Sequence, residues 1–316
     1  MTLTATNSTA QEHLRAWLAD PQGRDQYVTY RGDEVKIHWH GKPSQCEIAH
    51  KPVRPVFYLL FHSIYPYIID VFQDWKDFLY VAWSPLGTYI ATLHRQGVRL
   101  WGGPSWRPQQ RFAHPFVKLI DFSPCENYLV TWSNEPIVVP EGAVQGPQYF
   151  SSDDEGNNIA VWDIKTGHLL RTFSTSNEIE APATKKQMPW PMLKWSPDDK
   201  FVARITPGQM ISVHELPSMY LQGKKSLKIE GVVDFEWCPI NDKEREEAEK
   251  ETQSTTDGNK TAKKSRENML VYWTPEVANQ PARVTLLSFP SRTILRQKNL
   301  FNVTEVNLVV VRSCGG

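Results

Sequence analysis

Apolar residues recur at every second position along this chain, in short runs closed by turn-forming residues. Tyr27-Val28-Thr29-Tyr30 and Val35-Lys36-Ile37-His38-Trp39 flank Arg31-Gly32-Asp33 and predict a β-hairpin. The same period predicts strands at Tyr89–Thr92 and Val98–Trp101, joined through Arg95-Gln96-Gly97. One stretch departs from it. Thr9 and Glu12 have capping-box spacing, Leu14, Trp17 and Leu18 follow at helical intervals, and Pro21 ends the run. A short amphipathic helix is expected there, after a disordered tail, within residues 1–21.

A phrase of alternating residues closed by a small residue and proline recurs along the chain. It reads Val81-Ala82-Trp83-Ser84-Pro85, Ile120-Asp121-Phe122-Ser123-Pro124, Leu193-Lys194-Trp195-Ser196-Pro197 and Asp234-Phe235-Glu236-Trp237-Cys238-Pro239. The prolines stand 39, 73 and 42 residues apart. Two intervals match the ~40–45 residues of a propeller blade, and the third is one blade plus an insertion. The fullest unit runs from Ala113 to Phe173, with His114 near its start, Phe122-Ser123-Pro124 on its first strand and Trp162-Asp163 closing it. It resembles a WD repeat, which implies a four-stranded sheet packed radially about a channel. A third blade is expected from about 189 to 227, and a fourth from about 232 through Val284–Leu287 and Ile294-Leu295. The predicted fold is all-β, a partial WD40-type propeller of about four blades over 22–316, preceded by the short helix.

Three segments interrupt the pattern. Residues 134–157 form a polar, acid-containing loop inside the second blade. Residues 241–268 carry almost no apolar side chain, bury too little to offset ordering entropy, and are expected to be disordered. Residues 51–72 are apolar but contain Pro66, His62 and Asp70, which disfavours a membrane span.

Composition narrows the function. Lysine plus arginine and aspartate plus glutamate are each 35, so no net field draws the chain to nucleic acid or membrane, and such contact must be local. Twelve tryptophans and 23 prolines suit aromatic-packed strands and many turns. Cys46, Cys125, Cys238 and Cys314 are scattered without a C-x-x-C pair, which disfavours zinc and suits a reducing compartment. With no secretory leader read at the N-terminus, the cytoplasm is expected.

The words between the repeats are rarer. Trp83-Ser84-Pro85-Leu86-Gly87-Thr88-Tyr89, Gln96-Gly97-Val98-Arg99-Leu100-Trp101-Gly102-Gly103-Pro104, Tyr128–Ile137 and Tyr272-Trp273-Thr274-Pro275-Glu276 resemble the first propeller blades of the B-subunit family of eukaryotic translation initiation factor 3. The resemblance covers about residues 10–305, apart from 51–72 and most of 241–268. It implies a non-enzymatic scaffold that holds other subunits of the factor and the small (40S) ribosomal subunit, with mRNA or rRNA contact. No small-molecule substrate, cofactor or membrane is implied. Three departures stand out: no RNA-recognition domain, the apolar 51–72, and an ending just after a fifth blade would begin. A fragment is expected, with 51–72 and roughly 307–316 as translated non-coding sequence. The alternative is a generic cytoplasmic WD-repeat adaptor.

Candidate chemistry is sparse. His38 and His40 share a strand face but lack a third ligand at metal spacing. Ser84, Ser123 and Ser196 precede proline at strand ends and lie in no nucleophile elbow. Asp153-Asp154-Glu155 lacks the alternate spacing of a calcium loop and reads as a solvated acidic loop. His114, Ser123, Pro124, Trp162 and Asp163 read as blade architecture, with His114 bonded to Thr131 or Ser133 and to Trp162. The candidate RNA or ribosome contact is a cluster of Arg95, Arg99, Trp106, Arg107 and Arg111, beside His94. Arginines with an exposed aromatic can hold phosphates and stack on bases, though such residues also occur as a plain solvated face.

Overall fold

A computed structural model describes residues 25–31, 34–39, 48–50, 78–103, 106–175, 190–206, 210–222, 231–240, 267–277, 280–303 and 306–310. The expected N-terminal helix, the 51–72 stretch and most of 241–268 lie outside the described residues. The described chain is all-β. It contains one three-stranded sheet and four four-stranded antiparallel meanders.

The small sheet comprises β1 (Gln26–Arg31), β2 (Glu34–Trp39) and β3 (Ile48–His50). The first blade is β4 (Phe78–Trp83), β5 (Tyr89–His94), β6 (Gly97–Gly102) and β7 (Arg107–Phe112). The second is β8 (Val117–Phe122), β9 (Tyr128–Ser133), β10 (Ile159–Asp163) and β11 (Leu169–Phe173). The third is β12 (Lys194–Trp195), β13 (Phe201–Thr206), β14 (Met210–Glu215) and β15 (Tyr220–Leu221). The fourth is β16 (Asp234–Trp237), β17 (Asn268–Thr274), β18 (Ala282–Phe289) and β19 (Ile294–Leu300). In every blade the strands neighbour one another in chain order, as a propeller blade requires.

The recurring phrase is a hairpin clasp. Ser84 Oγ accepts the Tyr89 amide at 2.9 Å, and Ser196 Oγ accepts the Phe201 amide at the same 2.9 Å. Proline then sets the turn, and the residue two positions on takes positive φ: Gly87 (76°), Glu126 (61°) and Asp199 (56°). The second copy spends its hydroxyl differently, since Ser123 Oγ donates to Asp199 Oδ2 at 2.6 Å.

The chain divides into two compact units: residues up to Phe122 with Glu126–Thr175, and Ser123–Cys125 with Ser176 onward. In the first unit, alternation buries Tyr89, Ala91, Leu93, Val98, Leu100 and Phe112 against Val117, Phe122, Leu129, Ala160, Trp162 and Ile164. On its other face the first blade packs Val81, Ile90 and Trp106 against Val35 and Ile37 of the predicted hairpin. The Glu126 carboxylate ties the two blades of this unit, accepting the Leu86 amide at 2.7 Å and the Thr88 amide at 3.4 Å.

In the second unit, Phe201, Ala203, Ile211 and Val213 pack against Phe235, Trp237, Leu270, Tyr272, Leu287 and Phe289. Lys194 joins β12 to β16 through Asp234 at 2.9 Å, Glu236 and the Phe235 carbonyl at 2.8 Å. Asp199 repeats the reach of Glu126, accepting the Cys125 amide at 3.1 Å beside the Ser123 hydroxyl.

Asn268 corrects the expected disordered segment at its end. It opens β17 and is buried, donating both Nδ2 bonds to Asp198 at 3.0 Å. Its amide chemistry looks polar in sequence, but here it satisfies a turn. Burial pushes the Asp198 carboxyl up, yet hydrogen bonds from Ser196, Asn268 and the Lys200 amide outweigh it and hold its pKa below the usual value.

Candidate nucleic-acid interface

The arginine cluster sits on the β6–β7 hairpin and its flanking turns. Arg99 and Arg111 face each other directly across the ladder, while Arg107 pairs with Gly102 at the far end of β6. Arg95 lies before the opposite end, in the β5–β6 turn, where its carbonyl accepts the Phe116 amide at 2.8 Å. The six-residue strand β6 therefore lies between the backbones of Arg95 and Arg107, its ends roughly 17 Å apart at ~3.4 Å per residue. The sequence cluster is thus spread along the blade. Arg95 and Arg107 are exposed at its ends, with Arg99 and Arg111 half-buried between.

Trp106 does not serve as the exposed aromatic of this patch. It is 4% exposed and meets Trp83 edge-on at 5.2 Å, inside the cluster with Val35, Ile37, Val81 and Ile90. The hairpin β1–β2 covers it, a contact that local spacing does not disclose. The aromatic that arginine does meet is Trp101, whose ring lies 4.6 Å beneath the Arg99 guanidinium carbon. Burial, with Arg111 opposite, pulls the Arg99 pKa down to about 10, so it stays charged at neutral pH.

A buried hydrogen-bond network runs through the blade interior. In the second blade, Thr131 Oγ1 accepts the Trp162 indole N–H at 2.9 Å and bonds His114 Nδ1 at 2.8 Å. The structure thus brings His114, Thr131 and Trp162 together. Asp163 closes the following turn by accepting the Thr166 amide at 2.8 Å. Phe150 stands edge-on to His114 at 5.4 Å and packs near Trp162 at 5.5 Å, shielding both from solvent. That burial pulls the His114 imidazole down to about 4, so it is neutral at pH 7.

The first blade holds a twin of this network that the sequence pattern does not announce. Trp101 Nε1 donates to Thr92 Oγ1 at 2.9 Å, and Thr92 Oγ1 bonds His94 Nε2 at 2.8 Å. Both threonines stand eight residues after the serine of their phrase, which is the one signal that points to it. The histidine escapes that signal because it sits on the strand beside Thr92 rather than in the preceding loop.

The other candidates are also placed. Ser123, with Pro124 after it, lies in the β8–β9 turn, and its hydroxyl is engaged as a structural donor. His38 stacks on Tyr27 at 4.9 Å and bonds Thr29 at 2.9 Å, while His40 lies outside the described residues. Within Asp153-Asp154-Glu155, Asp154 is not simply solvated. It accepts from Ser151 Oγ at 2.8 Å and from Thr172 Oγ1 at 2.6 Å. Among the described residues no group of three or more His, Cys, Asp or Glu side chains is placed to hold a metal ion. No described helix is long and apolar enough to cross a membrane.

Blade topology and the paired Trp–Thr–His networks define the class: a WD-repeat propeller protein. No family model matches the chain. The chain is, however, 55% identical over 299 residues to the B subunit of eukaryotic translation initiation factor 3 from Mycosarcoma maydis. It is 43% identical over 300 residues to the same protein of Schizosaccharomyces pombe and 45% identical over 305 residues to that of Neurospora crassa. Each match covers 94% of this chain and 36% of the relative, so the chain spans about a third of their length. A solved structure described as "Crystal structure of the eukaryotic initiation factor" shares the fold at TM-score 0.55 and 18% identity. That likeness covers 89% of this chain and 54% of the other. The chain is thus a homologue of one stretch of the B subunit of eukaryotic translation initiation factor 3.

Proposed function

We propose that this protein is a non-enzymatic scaffold of the eukaryotic translation initiation factor 3 complex in the cytoplasm. In that role it holds other subunits of the factor and contributes to preinitiation assembly on the 40S subunit and to mRNA recruitment and scanning. The observation that carries this reading is the likeness to the B subunit at 55% identity over 94% of the chain. The blades suit the task. Their interiors are spent on packing and on the Trp–Thr–His networks, which leaves turns and edges free to present contacts on a stiff support.

Within this reading, Arg95 and Arg107 contact phosphates of rRNA or mRNA, and Arg99 stiffened over Trp101 stands between them. Such contacts fix position and carry little base specificity. The test is co-sedimentation of the protein with purified 40S subunits over a salt series. Arg95→Glu with Arg107→Glu is expected to weaken association and to flatten its log–log salt dependence by about 0.7–0.9 per lost phosphate contact. An unchanged salt slope removes these arginines from the interface. Absence of any 40S association by the wild-type protein favours the generic adaptor instead.

A further inference from the structure

The insertion between β9 and β10 holds large apolar side chains in solvent on a pinned loop. Val138 is 71% exposed, Val144 66% and Tyr149 45%. A polar loop free to move would fold such groups inward, and this one is held from doing so. Ile137 is buried and exchanges backbone bonds with Asn157 at 2.7 Å and Gly156 at 2.9 Å, closing the loop at its base. The Leu169 amide donates to the Pro147 carbonyl at 2.7 Å, and Gln148 Nε2 donates to the Thr166 carbonyl at 3.4 Å, fixing its middle. Phe150 is anchored against His114 and Trp162, and Asp154 is tied to Thr172 on β11. Pro136, Pro140 and Pro147 reduce its freedom further. The ordering entropy that a loop ordinarily loses on binding has here been met by folding.

Charge decides what such a surface accepts. Residues 134–157 carry Glu135, Glu141, Asp153, Asp154 and Glu155 and no lysine, arginine or histidine. All of these except Asp154 are exposed. A polyphosphate chain is repelled by that field, whereas a cationic polypeptide is attracted, and exposed apolar groups add contacts that nucleic-acid backbones do not match. We infer that the 134–157 loop is a preorganised docking surface for a basic segment of a partner protein that carries apolar side chains among its lysines or arginines. This surface is separate from the arginine patch, and its test does not depend on the initiation-factor reading.

The test uses the full chain and three probes: a short peptide alternating lysine and leucine, a lysine–serine peptide of equal charge, and an oligouridylate. Fluorescence anisotropy is expected to show saturable binding of the lysine–leucine peptide, weaker binding of the lysine–serine peptide, and no effect of the loop on the oligonucleotide. Glu141→Lys with Asp153→Lys and Glu155→Lys is expected to weaken the lysine–leucine peptide about tenfold. Val138→Ser with Val144→Ser and Tyr149→Ser is expected to weaken it about fivefold, the anchors Ile137, Phe150 and Asp154 being untouched. Equal binding of the two peptides, or no loss in the serine variant, reduces the surface to simple charge attraction and overturns the inference. Loss of oligonucleotide binding in the serine variant overturns it in favour of nucleic acid. A photo-crosslinking lysine–leucine peptide on the wild-type protein gives an independent reading that needs no variant. Adducts within 134–157 support the inference, and adducts elsewhere overturn it.

Discussion

Thr131 is the residue on which the second blade's network turns, because one hydroxyl serves both a buried indole and a buried imidazole. Thr131→Val keeps the shape and strands the Trp162 N–H, so a loss of about 2–3 kcal/mol in urea unfolding is expected, with Thr131→Ser recovering most of it. His114 supplies a pH signature. Its folded pKa of about 4 lies below the ordinary 6.5, so below pH 6.5 the unfolded chain binds a proton that the folded chain refuses. Its contribution is therefore full above pH 6.5 and is lost as pH falls from 6.5 towards 4. By pH 5 the loss amounts to about 2 kcal/mol relative to pH 7. Urea titrations of wild type and His114→Asn over that window measure it. The wild-type slope is expected to exceed the variant's by about one proton; equal slopes contradict the neutral buried imidazole.

At the scale of elements, Glu126 is a strand-turn residue that acts between blades of one unit. Glu126→Ala leaves the Leu86 and Thr88 amides without their carboxylate, and a loss of about 2 kcal/mol in thermal or urea unfolding is expected. Glu126→Gln keeps an acceptor and is expected to lose less. The blades themselves are legible in the sequence because alternation and the serine–proline phrase arise from backbone geometry within a few residues. The turns between third and fourth strands are not, although they repeat. Pro217-Ser218-Met219 and Pro290-Ser291-Arg292 both follow a cis peptide bond, and Met219 and Arg292 have φ of 55° and 60°. Pro104-Ser105-Trp106 repeats the wording, and Trp106 has φ of 47°. Bulky residues at positive φ carry no turn signal of their own, since glycine or asparagine ordinarily marks that position. Trp106 illustrates the same limit at the candidate site. Its burial depends on β2, about seventy residues earlier in sequence, and no local spacing reports that contact. Trp101, by contrast, lies two residues from Arg99 on one strand face, where period-two geometry is enough to pair them.

For the whole molecule, a balanced charge of 35 against 35 conceals regional asymmetry. The first blade presents Arg95 and Arg107, while the insertion of the second presents carboxylates and apolar groups. That separation suits a protein that meets more than one kind of surface. The proposed role in translation initiation rests on the chain's likeness to the B subunit, and affinity purification of the tagged full-length gene product from its own cells tests that proposal most directly. Near-physiological salt and quantitative mass spectrometry are expected to recover other subunits of translation initiation factor 3 in stoichiometric amounts, with 40S proteins enriched. Recovery of the tagged protein with no factor subunits would contradict the scaffold assignment.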